Sequence, residues 1–140
     1  MTAKEYLEQY QQALAKISAT NVQIEELETI LTSTSIRTDG VKVQTSVTNS
    51  REELLADLVD MQIELNHMAR DAFLLAQEVL MTITKTEDPA MIRLLIYRYV
   101  DGMKWEDISE RMHFERSWTF RIHAKALKKV EKILFEQRSD

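Results

Sequence analysis

The chain has 140 residues, of which two are Gly, one is Pro and none is Cys. Folds rich in β-structure use Gly and Pro for frequent turns, so this composition predicts a few long helices. The lack of Cys excludes disulfides and thiolate metal sites.

The net charge of −5 is unevenly distributed. Residues 1–90 hold 7 Lys+Arg and 15 Asp+Glu, which gives −8, whereas residues 91–140 hold 11 and 8, which gives +3. This asymmetry favours an acidic interaction region followed by a region that contacts nucleic acid, although the charges can also simply solvate helix surfaces. No 18-residue apolar window and no signal peptide are present, so we expect a cytoplasmic protein with no membrane contact.

The first predicted helix begins with a capping box, Thr2 with Glu5. Its apolar residues then recur at spacings of three and four, which predicts a coiled-coil-like seam interrupted at Glu28. The polar Asn21 falls on this seam, where it either selects the register of a partner or lies solvated at the seam's edge. The seam consists of Leu7, Tyr10, Leu14, Ile17, Asn21, Ile24 and Leu31.

Residues 33–49 are rich in Ser, Thr and Asn and contain Asp39–Gly40, which predicts a mobile linker. Ser50 and Glu53 then form a second predicted capping box before a helix that ends near Lys85. Its seam has no interruption, and we expect residues 1–86 to form a long antiparallel helical hairpin. The seam residues are Leu54, Leu58, Met61, Leu65, Met68, Ala72, Leu75 and Val79.

The end of this second helix is apolar on more than one side, so a further partner must cover it. The C-terminal domain can do so, or a second copy of the chain, which makes a homodimer plausible. The off-seam residues are Phe73, Leu74, Leu80, Met81 and Ile83.

Residues 88–140 predict three further helices. Asp88–Pro89 starts the first, Gly102 ends it, and a short helix from Trp105 to Met112 follows. A tight turn at His113–Phe114 leads to a last helix that runs from Glu115 or Arg116 to about Gln137. The whole chain is therefore predicted to be all-α, with a C-terminal helix-turn-helix domain.

Two segments of this domain, RYVDGMKWEDIS at 98–109 and IHAKALKKV at 122–130, resemble region 4 of bacterial sigma factors. The whole chain is similar to small phage-encoded proteins from prophages of Gram-positive bacteria. The ArpU and RinA regulators of phage late genes resemble it more distantly. The resemblance implies a role in phage transcription within the host cytoplasm.

The sigma-factor resemblance implies roles for residues of the last helix. Arg116, Ser117 and Arg121 match the positions that meet base edges in the major groove, where Arg can grip guanine with two hydrogen bonds. Trp118 and Phe120 stand where sigma factors often carry basic residues, so they either contact DNA or pack in an interface. Phosphate contacts are expected from Lys104, Lys125, Lys128 and Lys129.

These observations predict sequence-specific binding of double-stranded DNA by a phage regulator. Host RNA polymerase is a possible partner, and a homodimer would read two half-sites. The alternatives are a protein-binding module that uses the helix-turn-helix as a scaffold, and a component of phage DNA packaging. No catalytic, metal-binding or cofactor motif is found, so neither an enzyme nor a small-molecule substrate is expected.

Overall fold

The computed structural model describes residues 1–37 and 45–139, and the side chains of residues 1–33 and 50–139. In this part of the chain all regular secondary structure is helical and no strand occurs, which confirms the predicted all-α fold. The helices are α1 (Ala3–Arg37), α2 (Thr45–Thr84), α3 (Pro89–Leu95), α4 (Trp105–Met112) and α5 (Arg116–Arg138), and α3 continues into a π-helical turn at Ile96–Val100.

The chain divides into two compact units, and their boundaries differ from the predicted division at residues 86–88. A terminal unit combines Met1–Ala13 with Ala72–Asp140, and a middle unit comprises Leu14–Asp71. The two divisions differ because Leu7, Val79 and Ile83 are fully buried in one core with residues of α3, α4 and α5.

The core of the terminal unit draws on all five helices. The hydroxyl of Tyr6 lies 3.0 Å from that of Thr82, which joins α1 to α2 beside this core. The buried apolar residues are Ala3, Leu7, Val79, Ile83, Leu94, Leu95, Tyr99, Ile108, Met112, Ala126 and Val130.

The middle unit contains antiparallel segments of α1 and α2. Arg51 Nη1 donates to the carbonyl of Leu31 at 3.0 Å, and the hydroxyl of Thr20 lies 3.7 Å from Met68 Sδ. Thr20 is near the start of its segment and Met68 near the end of the other, whereas Leu31 and Arg51 have the reverse positions. The two segments therefore run in opposite directions. Within the described residues of this unit the buried apolar side chains are Ile24, Leu27 and Leu31.

The seam of α1 departs from the predicted one at two positions. Leu27 is buried whereas Glu28 is exposed, and Thr20 is half-buried whereas Asn21 is exposed. Burial favours Leu27 over the carboxylate of Glu28. Thr20 lies seven residues, about two helical turns, before Leu27 and therefore faces α2 on the same side of the helix. The Thr20 hydroxyl is satisfied because it donates to the Lys16 carbonyl at 3.0 Å. The structure therefore favours the solvated alternative for Asn21.

The capping predictions have mixed outcomes. Thr2 and Glu5 form the reciprocal capping box, with backbone N–H to side-chain distances of 3.0 and 3.2 Å. The second box is wrong, because α2 begins at Thr45 and Ser50 lies inside it.

The predicted linker, residues 33–49, is also too long. Helix α1 extends to Arg37 and α2 begins at Thr45, so both helices continue into it. Its central residues 38–44 lie outside the described part of the chain. Among the described residues, no helix is both long and apolar enough to cross a membrane.

Candidate nucleic-acid interface

The turn between α4 and α5 fixes where α5 begins. His113 adopts the left-handed conformation with φ of 57°, and the N–H of Phe114 donates to the carbonyl of Ser109 at 3.0 Å. Behind the turn, the buried hydroxyl of Ser109 donates to that of Thr119 at 2.8 Å. These bonds join the two helices, and the small Ser109 lets them approach closely.

The outer face of α5 carries the predicted reading residues. Ser117, Arg121 and Lys128 are exposed, and helical spacing puts them opposite the buried Thr119 and Ala126. From Ser117 to Lys128 this face is about 16 Å long at 1.5 Å per residue. It is polar, basic and open to solvent.

An open cleft of about 360 Å³ lies beside the beginnings of α4 and α5. Arg98, Lys104 and Arg116 line it together with Trp105 and one acid, Glu106. Three cations facing one acid, next to free N–H groups at the start of α4, favour a phosphate group. The structure thus brings the predicted Lys104 and Arg116 together, and we call this the cation cleft.

Arg98 is the residue of the cleft to which the sequence assigned no role. Its Nη1 donates to the Met103 carbonyl at 3.0 Å, and its guanidinium lies 4.7 Å from the centre of the Trp105 ring. Both contacts hold the cation in place before any ligand arrives. One signal in the sequence could have indicated this role. Arg98 is a second cation, six residues before Lys104 and on the other side of the Gly102 turn.

Trp118 and Phe120 on α5 are each 41% exposed. The Trp118 ring packs edge-on against Phe114 with centroids 6.4 Å apart, and Lys125 Nζ lies 5.9 Å above it. Trp118 is therefore partly a packing residue, and it holds Lys125 close to its outer surface.

Phe120 and Trp118 flank the outer face of α5 on opposite sides. Its ring centroid is 5.2 Å from that of Trp105, and the Arg116 guanidinium lies 5.9 Å above it. The ring therefore connects the cation cleft to the outer face of α5. Of the remaining predicted phosphate residues, Lys129 is exposed on the Trp118 side of α5.

His123 is half-buried on α5. Its Nε2 lies 2.7 Å from the hydroxyl of Tyr99, and its ring centroid is 4.5 Å from that of Trp105. Burial lowers the pKa of His123 to about 4, with the charges of Lys4 and Arg98 acting in the same direction. Burial also raises the pKa of Tyr99 to about 12. The bond therefore joins a neutral phenol and a neutral imidazole beneath the cleft.

The predicted seam residues belong to two different units. Leu14, Leu58 and Leu65 are half-buried in the middle unit. In the terminal unit Leu75 is half-buried and Val79 is fully buried. In the described residues no group of three or more His, Cys, Asp or Glu is arranged to hold a metal ion.

Comparisons with known proteins give one family. No curated protein matches the chain, and no solved structure does. A family model described as "Protein of unknown function (DUF1492)" matches residues 30–131, which include all of α2, α3 and α4 and most of α5. Since this is most of the chain, the protein belongs to the DUF1492 family.

Proposed function

We propose that this protein binds double-stranded DNA in a sequence-specific manner and regulates phage transcription. The observation that carries the proposal is the exposed basic face of α5 beside the cation cleft. The face offers side chains suited to base edges, and the cleft offers charges suited to the phosphate backbone. Helices α4 and α5 then act as the helix-turn-helix.

Arg121 and Ser117 are the residues that we assign to base reading. Both are exposed on the outer face, where an α-helix enters the major groove. Arg116 lines the cation cleft, so we assign it to both a base edge and a nearby phosphate. Lys125, Lys128 and Lys129 bind phosphates farther along the groove.

Trp118 and Phe120 add apolar surface beside the reading residues. Their exposed parts suit the methyl group of thymine or a sugar ring. Glu106 and Glu115 put negative charge near the phosphates, which weakens non-specific attraction and leaves more of the affinity to base contacts. The proposed site is consequently less basic than a general DNA-binding surface.

The regulatory part of the proposal rests on the resemblance to phage regulators. The protein acts in the host cytoplasm as a homodimer and binds half-sites about 34 Å apart or a multiple of it. Exposed Leu55, Val59 and Ile63, four residues apart on α2, suit a contact between copies. Contact with host RNA polymerase would make the protein an activator.

Selection of bound duplexes from fragmented phage DNA tests the proposal, with mass in solution measured in parallel. We expect an enriched sequence and an affinity that falls steeply with salt. Arg121→Ala should remove the site preference, whereas Lys128→Ala should weaken all duplexes alike. Lys16→Ala removes one cation from the middle unit and is the matched control. It should change neither the site preference nor the affinity. If the unaltered chain binds no duplex at low salt, the proposal fails.

A groove in the middle unit favours protein binding as the second candidate function. The groove encloses about 410 Å³ and has an apolar base that includes Leu27 and Met61. Glu26, Asp57 and Asp60 border it, which suits a basic and partly apolar segment of a host protein such as polymerase. Charge reversal at Asp57 and Asp60 should then abolish a pull-down of purified host polymerase while DNA binding persists.

A further inference from the structure

The side chain of Gln11, on α1, contacts the backbone of the π-helical turn. Its Nε2 donates to the carbonyl of Val100 at 2.8 Å and to that of Tyr99 at 3.3 Å. The last carbonyls of a helix have no partner within the helix. Gln11 therefore supplies, from a distant part of the sequence, the donors that this helix end requires.

The π-helical turn determines where Arg98 points. The N–H of Asp101 donates to the carbonyl of Ile96, five residues earlier, at 2.9 Å. Such a turn holds one more residue than an α-helical turn. The extra residue rotates the side chains near the turn by about 100° about the helix axis, compared with a continuous α-helix. In this register Arg98 reaches both the Met103 carbonyl and the Trp105 ring. A relaxed α-helical register would move it away from the cleft.

Gly102 shows how closely Gln11 approaches the turn. A Cβ atom at Gly102 would lie 3.0 Å from Gln11 Oε1, and the residue has φ of +69°. Gly102 adopts the left-handed conformation and has no side chain. The amide of Gln11 can therefore lie against the end of the turn.

From these contacts we propose that Gln11 is a positioning residue for the cation cleft. It stabilises the π-helical turn, which holds Arg98 beside Lys104 and Arg116 to bind one DNA phosphate. The first turns of α1 therefore support the DNA-binding surface, although Gln11 touches no DNA. This inference rests on the proposed function.

The test replaces Gln11 by Met, which keeps the length and removes the donor, and by Glu, which keeps the shape and puts a carboxylate against the carbonyls. Gln12→Met is the matched control, because Gln12 is exposed on the same helix. The first measurement is the NMR signal of each Trp indole N–H without DNA, assigned with Trp118→Phe. We expect Gln11→Met to shift the signal of Trp105, which contacts Arg98, and to leave that of Trp118 in place.

The second measurement is DNA affinity as a function of salt. Losing one phosphate contact should reduce the salt slope by about 0.9 and weaken binding about tenfold at low salt. Arg98→Ala should do the same, and the double variant should be no worse than Arg98→Ala alone. Additive losses, or an unchanged Trp105 signal with an unchanged slope, would overturn the proposal even if the melting temperature falls.

The two proposals fail in different ways. If the unaltered chain binds no DNA, the proposed function is wrong, and Gln11 is then judged by the Trp105 signal alone. If the unaltered chain binds DNA and both Gln11 variants bind as tightly as Gln12→Met, only the inference about Gln11 is wrong. Circular dichroism on each variant shows whether it is folded, and either Gln11 variant suffices for the test.

Discussion

At the scale of single residues, the interior of the terminal unit beneath the cation cleft is polar but uncharged. Tyr99 and His123 are hydrogen-bonded at 2.7 Å, and the shifted pKa values of both favour the neutral forms. A protonated imidazole here would lose solvation and would lie near the positive Arg98. The pair therefore supports the cleft without adding charge to it.

This pair makes stability depend on pH. The unfolded chain protonates His123 near its ordinary pKa of 6.5, but the folded chain does so only near 4. Proton uptake therefore favours unfolding, and the melting temperature should fall as pH is lowered from about 6.5 to about 4. His123→Gln should show a smaller fall, and His67→Gln, at an exposed site, should behave like the unaltered chain. Equal pH dependence in all three chains would contradict this.

The buried hydroxyl pair between α4 and α5 is a second test at this scale. Thr119→Val keeps the shape but leaves the Ser109 hydroxyl without its acceptor, and we expect a loss of about 1–3 kcal/mol in the free energy of unfolding. Adding Ser109→Ala should recover part of this loss, because no unsatisfied group then remains. Urea unfolding of the two single variants and the double variant measures the coupling between Ser109 and Thr119. Strictly additive losses in the free energy of unfolding would contradict this coupling.

The exposed residues of α5 could be predicted from the sequence, because a long periodic helix fixes which side chains face outwards. The outward positions of Ser117, Arg121 and Lys128 follow from that period alone. The roles of Arg98 and His123 could not, since both depend on the π-helical turn at Ile96–Val100. One extra residue in a turn leaves no pattern in composition or spacing.

At the scale of elements, the end of α4 is held in a strained conformation. His113 has φ of 57°, a region that costs a residue with a side chain about 1–2 kcal/mol. The strain follows from the short connection, which must reverse the chain between Met112 and Arg116. The turn lies where the apolar faces of α4 and α5, on either side of it, predicted a connection.

Replacing His113 by Gly should therefore stabilise the protein. We expect a gain of about 1 kcal/mol, reduced by the greater freedom of Gly in the unfolded chain. His113→Ala retains a Cβ and should gain little. Thermal melting compares the three chains, and a Gly variant less stable than the Ala variant would show that the His113 side chain contributes a contact of its own.

At the scale of the whole molecule, one core is assembled from distant parts of the sequence. Ala3 and Leu7 are buried in the same cluster as Ala126 and Val130. The sequence predicted a separate C-terminal domain because the composition changes near Asp88. Burial by residues 80 or more positions away has no local signature, so this boundary could not be found from spacing.

A fragment of residues 88–140 should consequently fail to fold by itself. It lacks Leu7, Val79 and Ile83, which are fully buried against it in the complete chain. Each such loss costs about 2–5 kcal/mol, against a total stability of about 5–15 kcal/mol for a typical domain. Circular dichroism during heating should show no cooperative transition for the fragment. A sharp transition would mean that the predicted boundary is right after all.

The shared core of Leu7 and Val130 also sets an order for synthesis on the ribosome. Residues 14–71 form a unit of their own and emerge from the ribosome before α5 has been made. Leu7, made among the first residues, finds its final neighbours only after α5 has been translated. Until then the beginning of α1 has an uncovered apolar face, so chaperones that bind nascent chains should protect it, and closing this long loop should be the slow step of folding.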